Sequence, residues 1–304
     1  MKTTIPAPAK INLFLDVIGK RPDGFHDIRS ILAPVSTRDI ITIEETDGAI
    51  ETVSDSELFF SGIPWKTVMC SPQENLTTRA ALLLQKATGC SKGARITIEK
   101  HVPINGGLGG GSSDAAATLR GLNKLWGTGL GVEHLMELGS RLGCDIPALV
   151  HGGIVAMEGR GERVSRVAVD PSRKLWFLLV NPGFGVSTAD IYGRYQRSEK
   201  NHSTARGFNE IVQSLQQGKM EDMAAGTFNA LEEVVFFKYP LLRMLRDRLR
   251  DAGAIAVLLS GSGATLFALG RNREQLENIA ARVRKDMDCP LWMETATVAD
   301  NRWD

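Results

Sequence analysis

Residues 103–117 read Pro-Ile-Asn-Gly-Gly-Leu-Gly-Gly-Gly-Ser-Ser-Asp-Ala-Ala-Ala, five glycines within six positions followed by good helix formers. Each glycine gives up roughly 0.5–1 kcal/mol more backbone freedom on folding than alanine, a cost with no packing return here. A ligand is the better reason for such a run than a flexible turn. Without Cβ atoms the main-chain N–H groups can approach a bound group closely, and the helix begun by the alanines turns its positive end toward the loop. The pattern predicts a phosphate cradle between a strand and a helix. It is neither G-x-x-x-x-G-K-[ST] nor G-x-G-x-x-G. Any phosphate held here therefore needs its cation from elsewhere in the chain.

The chain has 304 residues, which predicts two domains of about 150 residues each. With 36 Lys and Arg against 35 Asp and Glu the net charge is +1. This gives no electrostatic reason to expect nucleic acid or an anionic membrane as partner, and points to a small-molecule substrate. Cys70, Cys90, Cys144 and Cys289 stand apart without a C-x-x-C pair, so neither zinc nor a disulfide framework is expected. The N-terminus has no apolar leader, and no stretch approaches the roughly 18 uninterrupted apolar residues of a membrane span. A cytoplasmic protein is the expectation.

Residues 10–18 (K-I-N-L-F-L-D-V-I) read as a strand that ends in the R-P-D-G turn at 21–24 and a polar loop reaching His26. Residues 39–44 and 94–100 alternate like strands, whereas 73–88 has helical spacing. A helix is expected from Ser113 to Trp126, with Asp114 in its first turn, and another over 132–142. Pro147 then leaves Asp145 at a helix end. Strands are expected at 153–158 and 175–180, with His151 as a turn residue at a strand start. The later segments predict helices at 206–218, 226–236 and 239–251, a hairpin over 254–269, a helix at 272–286 and a strand at 291–298. The hairpin turns on Ser260-Gly261-Ser262-Gly263. Helix–strand–strand–helix–strand resembles a split βαβ sandwich. The boundary between halves falls near 160–180 without a marked linker.

Several residues carry potential chemistry. Lys10 and Asn12 alternate in phase, so both side chains point to one face. Alone, Lys10 reads as a surface lysine and Asp145 as a solvated helix-boundary residue. Together they supply the carboxylate and the cation that a glycine loop lacks for phosphoryl transfer. His26 follows Phe25 on a loop, where the pair suits either a polar ring with a stacking face or an ordinary surface loop. The Ser-Gly-Ser-Gly turn is either a plain hairpin turn or a second phosphate contact.

Eight segments in order resemble the GHMP small-molecule kinases. They are P-A-K-I-N-L-F-L-D-V-I-G-K-R-P-D-G-F-H at 8–26, E-N-L-T-T-R-A-A at 74–81, I-E-K-H-V-P at 98–103, the glycine loop, L-G-C-D-I-P at 142–147, H-G-G with G-R-G-E at 159–162, F-N-A-L-E at 228–232 and L-S-G-S-G-A at 259–264. The resemblance implies an α+β fold, with an N-terminal domain like ribosomal protein S5 domain 2 (1–165, ATP-binding and catalytic) and a ferredoxin-like C-terminal domain (166–304, substrate side). It implies ATP-dependent phosphorylation of the 2-hydroxyl of a cytidine diphosphate-linked methylerythritol in non-mevalonate isoprenoid precursor synthesis. Asp145 would be the general base and Lys10 its electrostatic partner. Asn105, Gly106, Gly107, Leu108, Gly109, Gly110, Gly111, Ser112 and Ser113 would hold ATP phosphates, with Asn75 and Lys100 lining the adenosine pocket. Asn12, Phe25, His26 and Tyr192 would contact the substrate, His26 reading the cytosine edge and Tyr192 supplying a second aromatic wall.

Three features depart from the family pattern. Phe25 replaces a tyrosine, which keeps a stacking face and loses a phenolic hydrogen bond. Asn105 stands where glycine or alanine is usual, altering either backbone freedom or the ligand contacts. Segment 196–206 matches no family motif. No carboxylate pair stands out as a direct metal ligand, so Mg2+ is expected to be held mainly through ATP and water. The assembly expected is a monomer or homodimer. The rival readings are another GHMP kinase, directed at mevalonate, homoserine or a sugar, and a nucleotide-binding regulator without catalysis.

Overall fold

The computed structural model describes residues 1–54, 57–58, 67–71, 73–169, 174–197 and 205–299. Its frame is one long hairpin. Strands β1 (Lys2–Lys20) and β2 (His26–Thr46) pair antiparallel from Lys2↔Glu44 to Lys20↔His26, with register irregularities at Pro8/Lys10, Asn12/Phe14 and Val17/Gly19. Both strands run well beyond the segments expected from alternation. Pro6, Pro8 and Pro34 interrupt the strand signal, yet Pro6 and Pro8 lie where β1 has β2 as its one described neighbour and no second ladder needs their missing N–H.

The chain continues through β3 (Ile50–Ser54), a short pair β4 (Glu57–Leu58) and β5 (Thr67–Val68), helix α1 (Leu76–Thr88), β6 (Gly93–Glu99), α2 (Gly110–Trp126), α3 (Val132–Ser140), α4 (Ile146–His151), β7 (Val155–Gly159) and β8 (Arg163–Arg166). The C-terminal half adds β9 (Trp176–Asn181), α5 (Thr188–Arg194), α6 (Ala205–Gln217), α7 (Met220–Gly226), β10 (Phe228–Asn229), α8 (Glu232–Lys238), α9 (Pro240–Asp251), β11 (Ala256–Leu259), β12 (Leu266–Gly270), α10 (Arg273–Asp286) and β13 (Trp292–Thr297).

The first sheet runs β10-β1-β2-β6-β3, with β7 on the early part of β2 and β8 beyond it; the second is antiparallel in the order β11-β12-β9-β13. With β9 as its first strand, the second sheet has β-α-β-β-α-β connectivity. One core fills the space between the first sheet and α1 to α4, where Ile41, Ile43 and Ile96 meet Leu84, Leu119 and Leu149. A second lies between the sheets and combines Ile11, Leu13 and Phe14 with Phe177, Phe267 and Trp292. The third packs Val180 and Leu266 against Val235 of α8, Leu242 and Leu245 of α9 and Ile279 of α10.

Where the structure departs from the sequence reading, tertiary contacts are the reason. Helix α2 starts at Gly110, inside the glycine run, so Asp114 lies just past its first turn. Asp145 stands at the start of α4, not at the end of the preceding helix, because a proline in the first helical turn is well tolerated. His151 accordingly falls in the last turn of α4. The helix expected over 226–236 is broken: Phe228 and Asn229 pair parallel with Phe14 and Leu15, and the helix resumes at Glu232. Short β8 has no counterpart among the expected strands. Residues 198–204 of the unmatched polar segment lie outside the described residues.

Candidate active site

The site is built on β1. Ala9 and Ile11 enter the second core, which leaves Lys10 and Asn12 on the other face, both buried. A buried ammonium needs partners. Lys10 Nζ donates to Asn12 Oδ1 at 2.7 Å and lies 3.3 Å from Asp145 Oδ2. Asn12 Nδ2 donates to Ser30 Oγ, which donates in turn to the Phe14 carbonyl, so the amide is fixed from β2. Asp145 makes no capping hydrogen bond to its own helix, and its side chain is 30% exposed against 5% for Lys10. A carboxylate open to solvent therefore stands beside an enclosed cation.

The glycine loop lies along the same strand. The Leu108 carbonyl accepts the Lys10 N–H at 2.8 Å, while the Leu108 side chain is buried in the second core. Gly109 caps α2 with φ +64°, and a Cβ there would lie 2.8 Å from Lys10 Cγ. No side chain caps this helix, and its first main-chain bond is Ser113 N–H to the Gly109 carbonyl. The N–H groups of Gly110, Gly111 and Ser112 thus have no partner within the helix, at its positive end. That is a cradle suited to phosphate oxygens.

Asn105 has φ +56° and is exposed, its carbonyl accepting the Val186 N–H. Asparagine is among the few non-glycine residues that adopt this left-handed conformation readily, which accounts for its place in the loop.

The Ser260–Gly263 turn closes on the loop from the other half of the chain. Ser260 Oγ donates to the Gly107 carbonyl at 2.9 Å, and the Thr265 N–H donates to the Gly106 carbonyl. Asn181 Nδ2 donates to Thr265 Oγ1, and the Ser262 and Thr188 hydroxyls lie 2.8 Å apart. Asn229 Nδ2 donates to the carbonyls of Leu259 and Gly261, holding the turn from behind.

At the other end of β1, His26 begins β2, and its ring lies 5.2 Å from that of Tyr192 on α5. Burial, with the charge of Lys20, lowers the His26 pKa and favours the neutral imidazole. Burial raises the Tyr192 phenol, and the charge of Asp145 adds to the effect. Phe25 is exposed on one side and carries the Arg160 guanidinium 3.9 Å from its ring centroid. The Arg160 charge also acts on the Cys144 thiol, next to Asp145, opposing the rise that burial gives its pKa. Neither Arg160 nor Cys144 stands out in the sequence as a functional residue, although each lies inside a family segment, G-R-G-E and L-G-C-D-I-P.

Lys100 is placed differently from the expectation of a pocket-lining side chain. Its ammonium is buried against Asp39 and lies 2.9 Å from Asp114 Oδ2, beneath the start of α2. Asp39 Oδ1 also accepts the N–H groups of His101 and Val102. The group braces the floor of the glycine loop, and only the main chain of Lys100 remains for contact with a ligand. Burial pushes the Asp114 carboxyl up to about 7. Asn75 is buried and caps α1, accepting the Thr77 N–H. Among the described residues no three His, Cys, Asp or Glu side chains gather as a metal cluster, and no helix is long and apolar enough to cross a membrane.

An uncapped glycine-loop helix, a buried lysine and an open carboxylate on two sheets of this topology define a phosphoryl-transfer class. Residues 75–153 match the family model for the GHMP kinases N terminal domain, and residues 211–289 match that for GHMP kinases C terminal. The chain belongs to the GHMP kinases.

It is 39% identical over 280 residues to the 4-diphosphocytidyl-2-C-methyl-D-erythritol kinase of Bacillus cytotoxicus, covering 92% of each chain. The corresponding kinase of Bacillus anthracis matches with the same identity and coverage. A crystal structure of 4-(cytidine 5'-diphospho)-2C-methyl-D-erythritol kinase superposes with a TM-score of 0.78 at 29% identity, over 98% of this chain and 100% of that one. Homoserine kinase from Cytophaga hutchinsonii shares the fold at a TM-score of 0.76 and 19% identity, over 98% of this chain and 95% of that one.

Proposed function

We propose that this chain transfers the γ-phosphoryl group of ATP to the 2-hydroxyl of 4-diphosphocytidyl-2-C-methyl-D-erythritol. The observation that carries the reading is the Lys10–Asp145 pair, which joins the phosphate cradle to the ring pair of His26 and Tyr192. Asp145 accepts the hydroxyl proton as the oxygen attacks phosphorus. Lys10 favours the developing negative charge and holds the carboxylate in place. Because phosphoryl transfer needs little covalent chemistry from the protein, positioning and charge supply most of the acceleration.

The loop of residues 105–113 holds the ATP phosphates, with the N–H groups of Gly110, Gly111 and Ser112 as its free donors, and Asn75 with the main chain of Lys100 borders the adenosine. Mg2+ would come with ATP, held mainly through phosphate oxygens and water, and would supply neutralisation of the phosphate charge. Asn12 contacts the substrate. His26 reads the cytosine edge, while Phe25 and Tyr192 flank the base. The relatives' names support this substrate.

Purified protein with Mg·ATP and the cytidyl substrate should release ADP and form a 2-phospho product, with mevalonate, homoserine and free sugars giving no turnover. Asp145→Asn should lower kcat by about 10²–10⁴-fold with ATP affinity within a few fold. No ADP release at saturating Mg·ATP, or a fully active Asp145→Asn variant, would refute the reading.

A further inference from the structure

A second concavity lies outside the catalytic pair and the glycine loop. It has a volume of about 810 Å3 and is bounded by α8, α9 and β11, the terminal strand of its sheet. Helix α9 buries Leu242, Leu245 and Leu249, and the same three- and four-residue spacing brings Arg243, Arg246 and Arg250 to the wall of this groove. Arg246 lies over the Phe236 ring at 4.8 Å and pairs with Asp247. Among the described residues, Arg243 and Arg250 make no ion pair. Glu232 and Glu233 also line the groove; Glu232 Oε1 accepts the Leu259 N–H at 2.8 Å and feels the charges of Arg246 and Arg250, while Glu233 is exposed. The lining thus sets three arginines against two carboxylates, a surplus of positive charge along α9, and faces them with the apolar side chains of Phe228, Ile255 and Val257.

We propose that this groove is a second ligand site, for a small organic phosphate or diphosphate with an apolar body, whose anionic end is held by Arg243, Arg246 and Arg250. Guanidinium forks match phosphate oxygens bidentately, and the apolar floor gives the body of the ligand a surface to cover. The back wall of the groove is also the support of the Ser260–Gly263 turn. Glu232 holds the Leu259 N–H, Asn229 holds the Leu259 and Gly261 carbonyls, and a Cβ at Gly261 would lie 3.1 Å from Lys10 Nζ. A ligand that favours one position of this wall must alter nucleotide affinity, and the coupling must be reciprocal.

Pentyl phosphate serves as the probe and inorganic phosphate as its headgroup control, titrated calorimetrically into protein saturated with Mg2+ and a non-hydrolysable ATP analogue. The filled glycine loop then cannot take the probe. Pentyl phosphate should bind one saturable site, inorganic phosphate at least fivefold more weakly. Arg243→Glu/Arg250→Glu should weaken the probe at least tenfold while leaving analogue affinity within twofold. Arg243→Gln/Arg250→Gln provides the milder variant should charge reversal impair folding.

Non-saturable uptake in the millimolar range, equal affinity for both probes, or affinity unchanged in both double variants would overturn the site. Coupling is read as at least a twofold shift in analogue affinity on saturating the wild type with pentyl phosphate; no shift overturns the coupling. None of these readouts involves the cytidyl substrate, so their outcome is separate from that of the proposed reaction.

Discussion

Gly109 and Gly127 cap opposite ends of α2 with nearly equal torsions, φ +64° and +67°, and differ in what surrounds them. A Cβ on Gly127 meets nothing within 4 Å, whereas one on Gly109 falls 2.8 Å from Lys10 Cγ and 3.0 Å from Cε. Alanine at either position carries the same left-handed penalty, on the order of 1–2 kcal/mol. Gly109→Ala must in addition displace the Lys10 stem by about half an ångström to restore ordinary van der Waals separation. Lys10 is enclosed and tied to Asn12, so the shift is transmitted to its ammonium. Since a misplacement of about 1 Å near reacting groups costs about 10²-fold in rate, half that displacement predicts a kcat loss of about tenfold or more. Both variants should melt at similarly reduced temperatures by calorimetry, while steady-state ADP release shows the kinetic loss in Gly109→Ala alone. Equal kcat values for the two variants would refute contact with Lys10 as the function of the missing Cβ.

Three further outcomes follow from the geometry. Arg160→Ala removes the cation stacked on Phe25 and should raise KM for the cytidyl substrate by about 2–30-fold, the equivalent of about 0.5–2 kcal/mol, with KM for ATP unchanged; an effect on ATP alone would contradict this. Asn105→Gly should keep KM for ATP within twofold while Asn105→Ala loses up to about 1 kcal/mol of stability in urea unfolding, because the position selects a torsion; a large ATP defect in the glycine variant would make the amide a ligand contact. Asp114 binds its proton more tightly folded than unfolded, so its contribution to stability is full below about pH 4 and is lost as pH rises through about 7. Asp114→Asn should flatten that decline in urea unfolding measured across this range, and an unchanged slope would remove Asp114 as its source.

Local pattern carried much of the fold. The helical spacing over 73–88 and the helix expected at 272–286 became α1 and α10, whose ends the structure caps with Asn75, Gly89 and Asn272. What it missed depended on distant partners. Phe228 and Asn229 leave a helical stretch because β1 offers them a ladder, and Pro6 and Pro8 join a strand because nothing pairs on their second side among the described residues. The types needed for phosphoryl transfer could be read from Lys10 and Asp145, but their approach to 3.3 Å requires β1 and α4 to pack in one domain. Asp39, Arg160 and Asn181 carry no local signal, being single polar residues at strand or turn positions. Lys100 shows the opposite case: a resemblance indicated the pocket, while two buried carboxylates hold the ammonium beneath it.

The hairpin of β1 and β2 also acts as a ruler. One strand runs from Lys10, beside the glycine loop, to the turn that delivers His26, so the spacing between ammonium and imidazole is set by a count of residues. Inserting or deleting one residue just before Lys10 would exchange the inward and outward faces of this segment, sending Lys10 into the apolar layer and Ile11 into the site. The irregularities at Pro8/Lys10 and Asn12/Phe14 frame Lys10 and Asn12 as phase marks on that ruler. Length changes in this segment should therefore be tolerated only in compensating pairs.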